Sequence, residues 1–137
     1  MSAGPRTLLD TNVLVYAFTT DRRAEVAQDL LRRGCAISVQ GLNEFTNVAR
    51  RKLGMSWPEV GEALAAIRTL CPVILPLDVA THERALQVAE RHGCSFFDAL
   101  VIAAALAGGC RELLSEDFHD GLVIDGRLRI IDPFHPA

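Results

Sequence analysis

The chain has 137 residues, half of them hydrophobic and 23% charged, which is enough for one ordinary core and argues against a disordered segment. Its formal net charge of −3 does not suit a broadly basic nucleic-acid binder, although a local basic face remains open. Positive charge is almost entirely arginine, with Lys52 the only lysine, and guanidinium forks suit carboxylates and phosphates better than ammonium groups do.

In chain order, residues 6–9 (RTLL) read as a buried strand. Helical patterns follow at 12–18 and 22–33, the second stopped by Gly34. CAISV (35–39) is a short strand. QGLNEFTNVARRKL is helical, with Leu42, Phe45, Val48, Ala49 and Leu53 on one arc. SWPEVGEALAAIRTLC opens with Ser56 and Glu59 at capping-box spacing and with Pro58 where a helix tolerates it. VILPL (73–77) is a strand, VATHERALQVAERHG a helix closed by Gly93, and FFDALVIAAALAGG a helix apolar nearly all round, hence buried. ELLS (112–115) is a strand, and VIDGRLRII a hairpin turning at Asp125-Gly126. Strands alternating with helices predict an α/β chain, a single domain over 1–137, with a mainly parallel sheet covered on both faces.

Neither repeats nor low-complexity tracts interrupt this order. The four cysteines, Cys35, Cys71, Cys94 and Cys110, form no C-x-x-C and have no histidine at zinc spacing. They read as reduced, mostly buried thiols of a cytosolic protein. Asp10 interrupts the only early apolar run, against a signal peptide. The longest apolar stretch, ALVIAAALAGGC, is too short to span a bilayer, so no membrane role is expected.

In parallel sheets ligands sit beyond the carboxyl ends of the strands. Asp10 follows the first strand, and Asp117 follows the ELLS strand. Glu44 lies in the first turns of the helix after the second strand, and Asp98 opens the apolar helix. Each has an ordinary explanation. Asp10, Thr11 and Asn12 are all good N-cap residues, Asp98 is three residues after Ser95 and could complete a capping box, and Asp117 could start a turn. Glu44 is different, because its helical neighbours Gln40, Asn47 and Val48 supply no cation. Two carboxylates about 6 Å apart repel by roughly 3 kcal/mol at an effective dielectric near 20. Four converging acids therefore call for a cation or raised pKa values, and an all-oxygen set selects a hard ion, Mg²⁺ or Mn²⁺, over zinc.

The segments LLDTNVLVYAF, GLNEFTNVARRK, SFFDALVIAAAL and LLSEDFHDG…RIIDPF together resemble a PIN domain, and specifically the VapC-like toxins of bacterial toxin–antitoxin pairs. The likeness spans nearly the whole chain. It implies a three-layer α/β/α sandwich around a five-stranded parallel sheet, and Mg²⁺- or Mn²⁺-dependent hydrolysis of RNA to 5′-phosphate and 3′-hydroxyl ends. By motif, Asp10, Glu44, Asp98 and Asp117 correspond to the four acids, with Asn12 and Ser115 as supporting polar residues. Ser115 stands where the family often has threonine, and Glu116 competes with Asp117 for the last acid position. A cognate antitoxin, a homodimer and a cytoplasmic location are further implications.

For holding RNA, Arg50, Arg51 and Lys52 on the Glu44 helix and Arg22 and Arg23 before the second helix are the candidate basic clusters. Asp125, Asp132 and the four histidines, His82, His92, His119 and His135, read as bystanders, with Asp120 and His119 nearest the site. Trp57 and the helices around 56–70 and 22–33 carry apolar residues suited to core, dimer or antitoxin contacts. Two rivals are enzymatic in outline. An aspartyl-phosphate-type phosphatase wants a second Asp where Asn12 stands, and a signalling receiver wants a lysine after a late strand, whereas Lys52 is mid-chain. The third rival is a PIN-like module that binds RNA or protein without cutting.

Overall fold

The computed structural model describes residues 6–135. Along them run β1 (Thr7–Leu9), α1 (Thr11–Tyr16), α2 (Ala24–Arg32), β2 (Ile37–Ser38), α3 (Val39–Arg51), α4 (Trp57–Leu70), β3 (Ile74–Leu75), α5 (Val79–His92), α6 (Phe96–Ala107), β4 (Glu112–Leu114), β5 (Val123–Ile124) and β6 (Leu128–Ile131). Strand β1 pairs in parallel with β4, and β4 with β6. On its other edge β1 reaches the parallel β2–β3 pair through a parallel bridge between Leu8 and Ala36. That junction is held by Leu9 N–H to the Ala36 carbonyl at 3.0 Å and Ala36 N–H to the Thr7 carbonyl at 2.8 Å. Five strands thus run parallel in the order β3-β2-β1-β4-β6, and β5 adds an antiparallel edge.

Both faces of this sheet are apolar because both are covered. Leu8, Leu113 and Ile130 lie in register and enter a core with α5 and α6. Leu9 and Leu114, the next residues along, enter a second core with Val13, Leu14, Leu30, Phe45, Val60 and Ile67 from α1–α4. Alternate strand residues point to opposite faces, so a strand buried on both sides reads as an unbroken apolar run. In α6 every residue from Ala99 to Leu106 is buried, which accounts for its lack of a polar face. Phe45 is fully buried and its ring lies 5.4 Å from that of Phe18. Phe45→Ala is expected to cost about 3–5 kcal/mol, read as a lowered urea midpoint at unchanged slope.

The elements differ from expectation mainly at their ends. Asp10, not Thr11, is the N-cap of α1, so that helix starts one residue before the expected position 12 and is short. Ser38 caps α3 by accepting the Gly41 N–H, which cuts the CAISV strand at its fourth residue. Pro76, with no N–H to give a ladder, follows the two-residue β3. The Ser56–Glu59 capping box forms in both directions. The hairpin turns at Asp125 (φ 52°) and Gly126 (φ 68°), the left-handed pair that a two-residue turn requires. Cys35, Cys71 and Cys110 are buried and Cys94 is half-buried, and none of the four forms a disulfide.

Candidate active site

The chain leaves β1 in one direction along the sheet toward β2 and β3, and returns on the other side as β4 and β6. The crevice at such a switch point is where open α/β sheets bind ligands. Asp10 stands at the end of β1 and Ser115 at the end of the adjoining β4, joined by the backbone bond from Asp10 N–H to the Leu114 carbonyl at 3.0 Å.

Asp10 is only 4% exposed. One carboxylate oxygen accepts the Thr11 N–H at 2.7 Å, and the other accepts the Ser115 hydroxyl at 2.8 Å. Burial pushes this carboxyl from its ordinary 3.8 up to about 6, the two hydrogen bonds pull against that, and the charges of Asp117 and Glu44 push further. Asp10 is therefore both a helix cap and a buried, strained anion; the two readings of the D-T-N step coexist.

Ser115 is a fully buried hub. Besides donating to Asp10, its oxygen accepts the Asn12 side-chain amide at 3.2 Å and the Asp117 N–H at 3.1 Å. Asn12 Oδ1 is buried with no partner among the described residues. Glu44 is half-buried, and its Oε2 accepts the Thr11 hydroxyl at 3.0 Å. Desolvation raises the Glu44 pKa, that hydrogen bond opposes the rise, and Asp98 and Asp117 add to it. Asp98 sits in the first turn of α6, where its N–H is accepted by the Ser95 hydroxyl at 3.2 Å.

Asp10, Thr11, Asn12, Glu44, Asp98 and Asp117 line one cleft of about 330 Å³, with Val15, Tyr16, Val48 and Lys52 completing its walls. Larger hollows exist elsewhere, including one of about 620 Å³ bounded by Arg84, Arg91, His92 and Asp125. That hollow draws residues from one helix and a turn, and Asp125 there is already paired with both arginines. The smaller cleft is the one that gathers side chains from separate parts of the chain around a shared electrostatic problem.

The donor set fits a hard divalent cation. Four carboxylates line the same cleft, two of them with raised pKa values, and Asn12, which also lines it, carries a buried amide oxygen with no partner among the described residues. As they stand, no three acidic, histidine or cysteine side chains among the described residues are close enough to chelate one ion. Like charges repel one another across the cleft, and the Asp117 side chain is exposed.

Of the basic candidates, only Lys52 reaches the cleft. Arg50 donates to the Met55 carbonyl at 2.8 Å and lies 4.5 Å over the Trp57 ring. Arg51 and Arg22 are exposed. Arg23 pairs with Asp21 at 3.1 Å and Glu116 at 3.2 Å and covers the Tyr16 ring. Glu116 also accepts the Tyr16 hydroxyl, which raises the Tyr16 pKa to about 12. Glu116 is thus turned toward Tyr16 and Arg23, leaving Asp117 as the residue of that pair on the cleft. Asp120 accepts the Asp132 N–H and Asp132 the Phe134 N–H, each at 2.9 Å, so both organise the tail. His82 packs against Phe96. Thr11 and Tyr16 are cleft residues that the motif reading left aside. For Thr11, the polar triplet itself was the available signal.

A mainly parallel sheet between helical layers, with carboxylates collected at its switch point, defines the class: an α/β domain with an acidic crevice. The PIN domain family model matches residues 7–119, a span that includes all four acids, and the chain belongs to that family. Solved structures sharing its fold include VapC20 of Mycobacterium tuberculosis, a sarcin–ricin-loop-cleaving toxin. That chain is 23% identical with a TM-score of 0.67, over 81% of this chain and 91% of that one. A toxin–antitoxin complex from Klebsiella pneumoniae has 22% identity and a TM-score of 0.72, over 98% and 100% of the two chains. FitAB bound to an IR36 DNA fragment has 20% identity and a TM-score of 0.68, over 96% and 97%. No curated protein sequence matches the chain.

Proposed function

We propose that this protein is a metal-dependent endoribonuclease and the toxin of a toxin–antitoxin pair. The observation that carries the reading is the meeting of Asp10, Glu44, Asp98 and Asp117 on one cleft at the β1–β4 junction. Membership of the PIN domain family and a fold shared with VapC20 and with toxin–antitoxin complexes support it.

Asp10 and Asp98 would be the direct ligands of Mg²⁺ or Mn²⁺, and Asp117 and Glu44 would hold a second ion or a water. A bound divalent ion would supply an activated water and neutralise charge gathering on the phosphate. The protein's part is to fix the donors. The Ser115 hydroxyl and Thr11 N–H keep the Asp10 carboxylate oriented. The Thr11 hydroxyl holds Glu44 Oε2 and leaves Oε1 to take a proton from water, a task suited to a carboxylate whose pKa is raised. Lys52 offers a cation to an RNA phosphate. Cleavage gives a 5′-phosphate and a 3′-hydroxyl.

An antitoxin segment covering the cleft, a homodimer and action in the cytoplasm belong to the same proposal. No helix among the described residues is long and apolar enough to cross a membrane.

The deciding experiment incubates purified protein with RNA in Mg²⁺, Mn²⁺ or EDTA and sequences the new 5′ ends. Cleavage with either metal and none in EDTA is expected. RNA binding without cleavage in any metal would favour the non-cutting module. Saturating metal should also raise the melting temperature by several degrees, because an ion that binds only the folded state at about 100 times its Kd adds about 2.7 kcal/mol.

A further inference from the structure

Phe97 is a large aromatic residue left 60% exposed in the same helical turn as Asp98. Its neighbour Phe96 turns inward against the α5–α6 core and stacks edge-on with His82. The two phenyl rings are 6.4 Å apart and inclined at 61°, so Phe96 buttresses Phe97 from behind. In front of Phe97 is a hollow of about 360 Å³ walled by Asn43, Glu44, Asn47 and Val48 of α3. Glu44 and Val48 also wall the acid cleft, so the two spaces adjoin across one ridge of α3. Asn43 and Asn47 are one turn apart on the far side of that ridge, both exposed.

The furniture of this hollow is specific. A flat apolar ring offers a stacking face, and every base has a π-face to set against it. Two carboxamides, each carrying donors and an acceptor, match the polar edges of a base. Neither a phosphate nor a metal is invited, because the only charge on the wall is Glu44. A base adjoining a phosphodiester is tethered to it by the sugar, so a chain with its phosphate in the acid cleft must place a neighbouring base close by.

We propose that Phe97, Asn43 and Asn47 form a subsite that holds an unpaired nucleobase flanking the cleaved phosphodiester, with Phe97 as the stacking platform. This deepens the ribonuclease reading above and rests on it.

The test measures binding of a fluorescein-labelled, unstructured 12-nucleotide RNA in Mg²⁺ to protein carrying Asp10→Asn, which prevents cleavage during the titration. In that background Phe97→Ala should weaken binding about 5- to 100-fold. Phe97→Trp should hold or tighten it. Phe97→Leu, apolar but not flat, should behave like alanine. Asn47→Ala should narrow the differences among A, C, G and U oligomers. Phe97 is exposed, so these variants fold, and circular dichroism checks that they do. Equal RNA affinity for the parent, alanine and leucine proteins would overturn the subsite while wild-type cleavage in Mg²⁺ left the nuclease reading standing. So would a Phe97→Ala defect confined to self-association or to binding a protein partner. Failure of the parent to bind RNA would also overturn it, and the wild-type metal assay then judges the nuclease reading separately.

Discussion

Asp10→Asn is expected to lower RNA cleavage by at least about 100-fold and yet leave the metal-free protein as stable as the wild type, or more so, at pH 8. Both expectations come from the same burial. The asparagine keeps the shape of the side chain and the acceptor for the Thr11 N–H but gives up the acceptor for the Ser115 hydroxyl, an offsetting cost of about 1 kcal/mol. Gone is a charge that the fold carries at a cost. Asp10 has a folded pKa of about 6 against an ordinary 3.8, so the native state binds its proton more tightly than the unfolded chain does. The stability associated with that proton is fully present below pH 3.8 and is lost as the pH rises through about 6. The gap corresponds to about 3 kcal/mol at neutral pH. Urea titrations in EDTA at pH 8 and at pH 3.5 measure it: the variant should match or exceed the wild type at the higher pH and lose that advantage at the lower. Added Mg²⁺ should stabilise the wild type and leave Asp10→Asn nearly unmoved. A variant clearly weaker than wild type at pH 8 without metal would mean that Asp10 is a structural cap whose charge the fold does not oppose.

The second large effect is expected from Ser115→Ala. One oxygen there serves three groups: it donates to Asp10 and accepts from Asn12 and from the backbone of Asp117. Its loss leaves the Asn12 amide with neither end satisfied, since Oδ1 already lacks a partner. The stability cost should be about 2–3 kcal/mol. Activity and metal affinity should fall about 10- to 100-fold, as they do when a residue that orients a ligand is removed. A merely structural role would move stability alone. Here the acid limb of the pH–rate profile should also shift upward, because the Ser115 hydrogen bond is one of the two that hold the Asp10 pKa down. Ser115→Thr keeps the hydroxyl and should retain most of the activity. An alanine variant with wild-type rate and an unmoved acid limb would remove Ser115 from the machinery.

Local signals carried much of this molecule. Ser56 and Glu59 cap α4 in both directions, and Asp125-Gly126 turns the hairpin, because such features depend on a few neighbouring residues. The parallel sheet followed from the alternation of apolar runs and helices, and the expected hairpin supplies the antiparallel edge strand β5 beside the five parallel ones. Strand lengths were less legible: β2 and β3 span two residues each, and where a strand yields to a cap is decided by tertiary geometry. The four acids were picked out by their position after strands and by family resemblance, and all four line one cleft. The bond from Thr11 to Glu44 was hidden, since it joins residues 33 apart in sequence. The diversion of Glu116 and Arg23 to Tyr16 was hidden for the same reason. No window of neighbouring residues contains both partners of such contacts.

The placing of β4 between β1 and β6 bears on biosynthesis. Leu9 and Leu114, partners in the ladder, are made far apart in time. Until Glu112–Leu114 has emerged and inserted, β1 lacks its central neighbour and Asp10 lacks the hydroxyl that orients it. Helices α1 to α6 can all have been translated by then without assembling the four-acid cleft, which is complete only once the segment carrying Ser115 and Asp117 has joined the sheet.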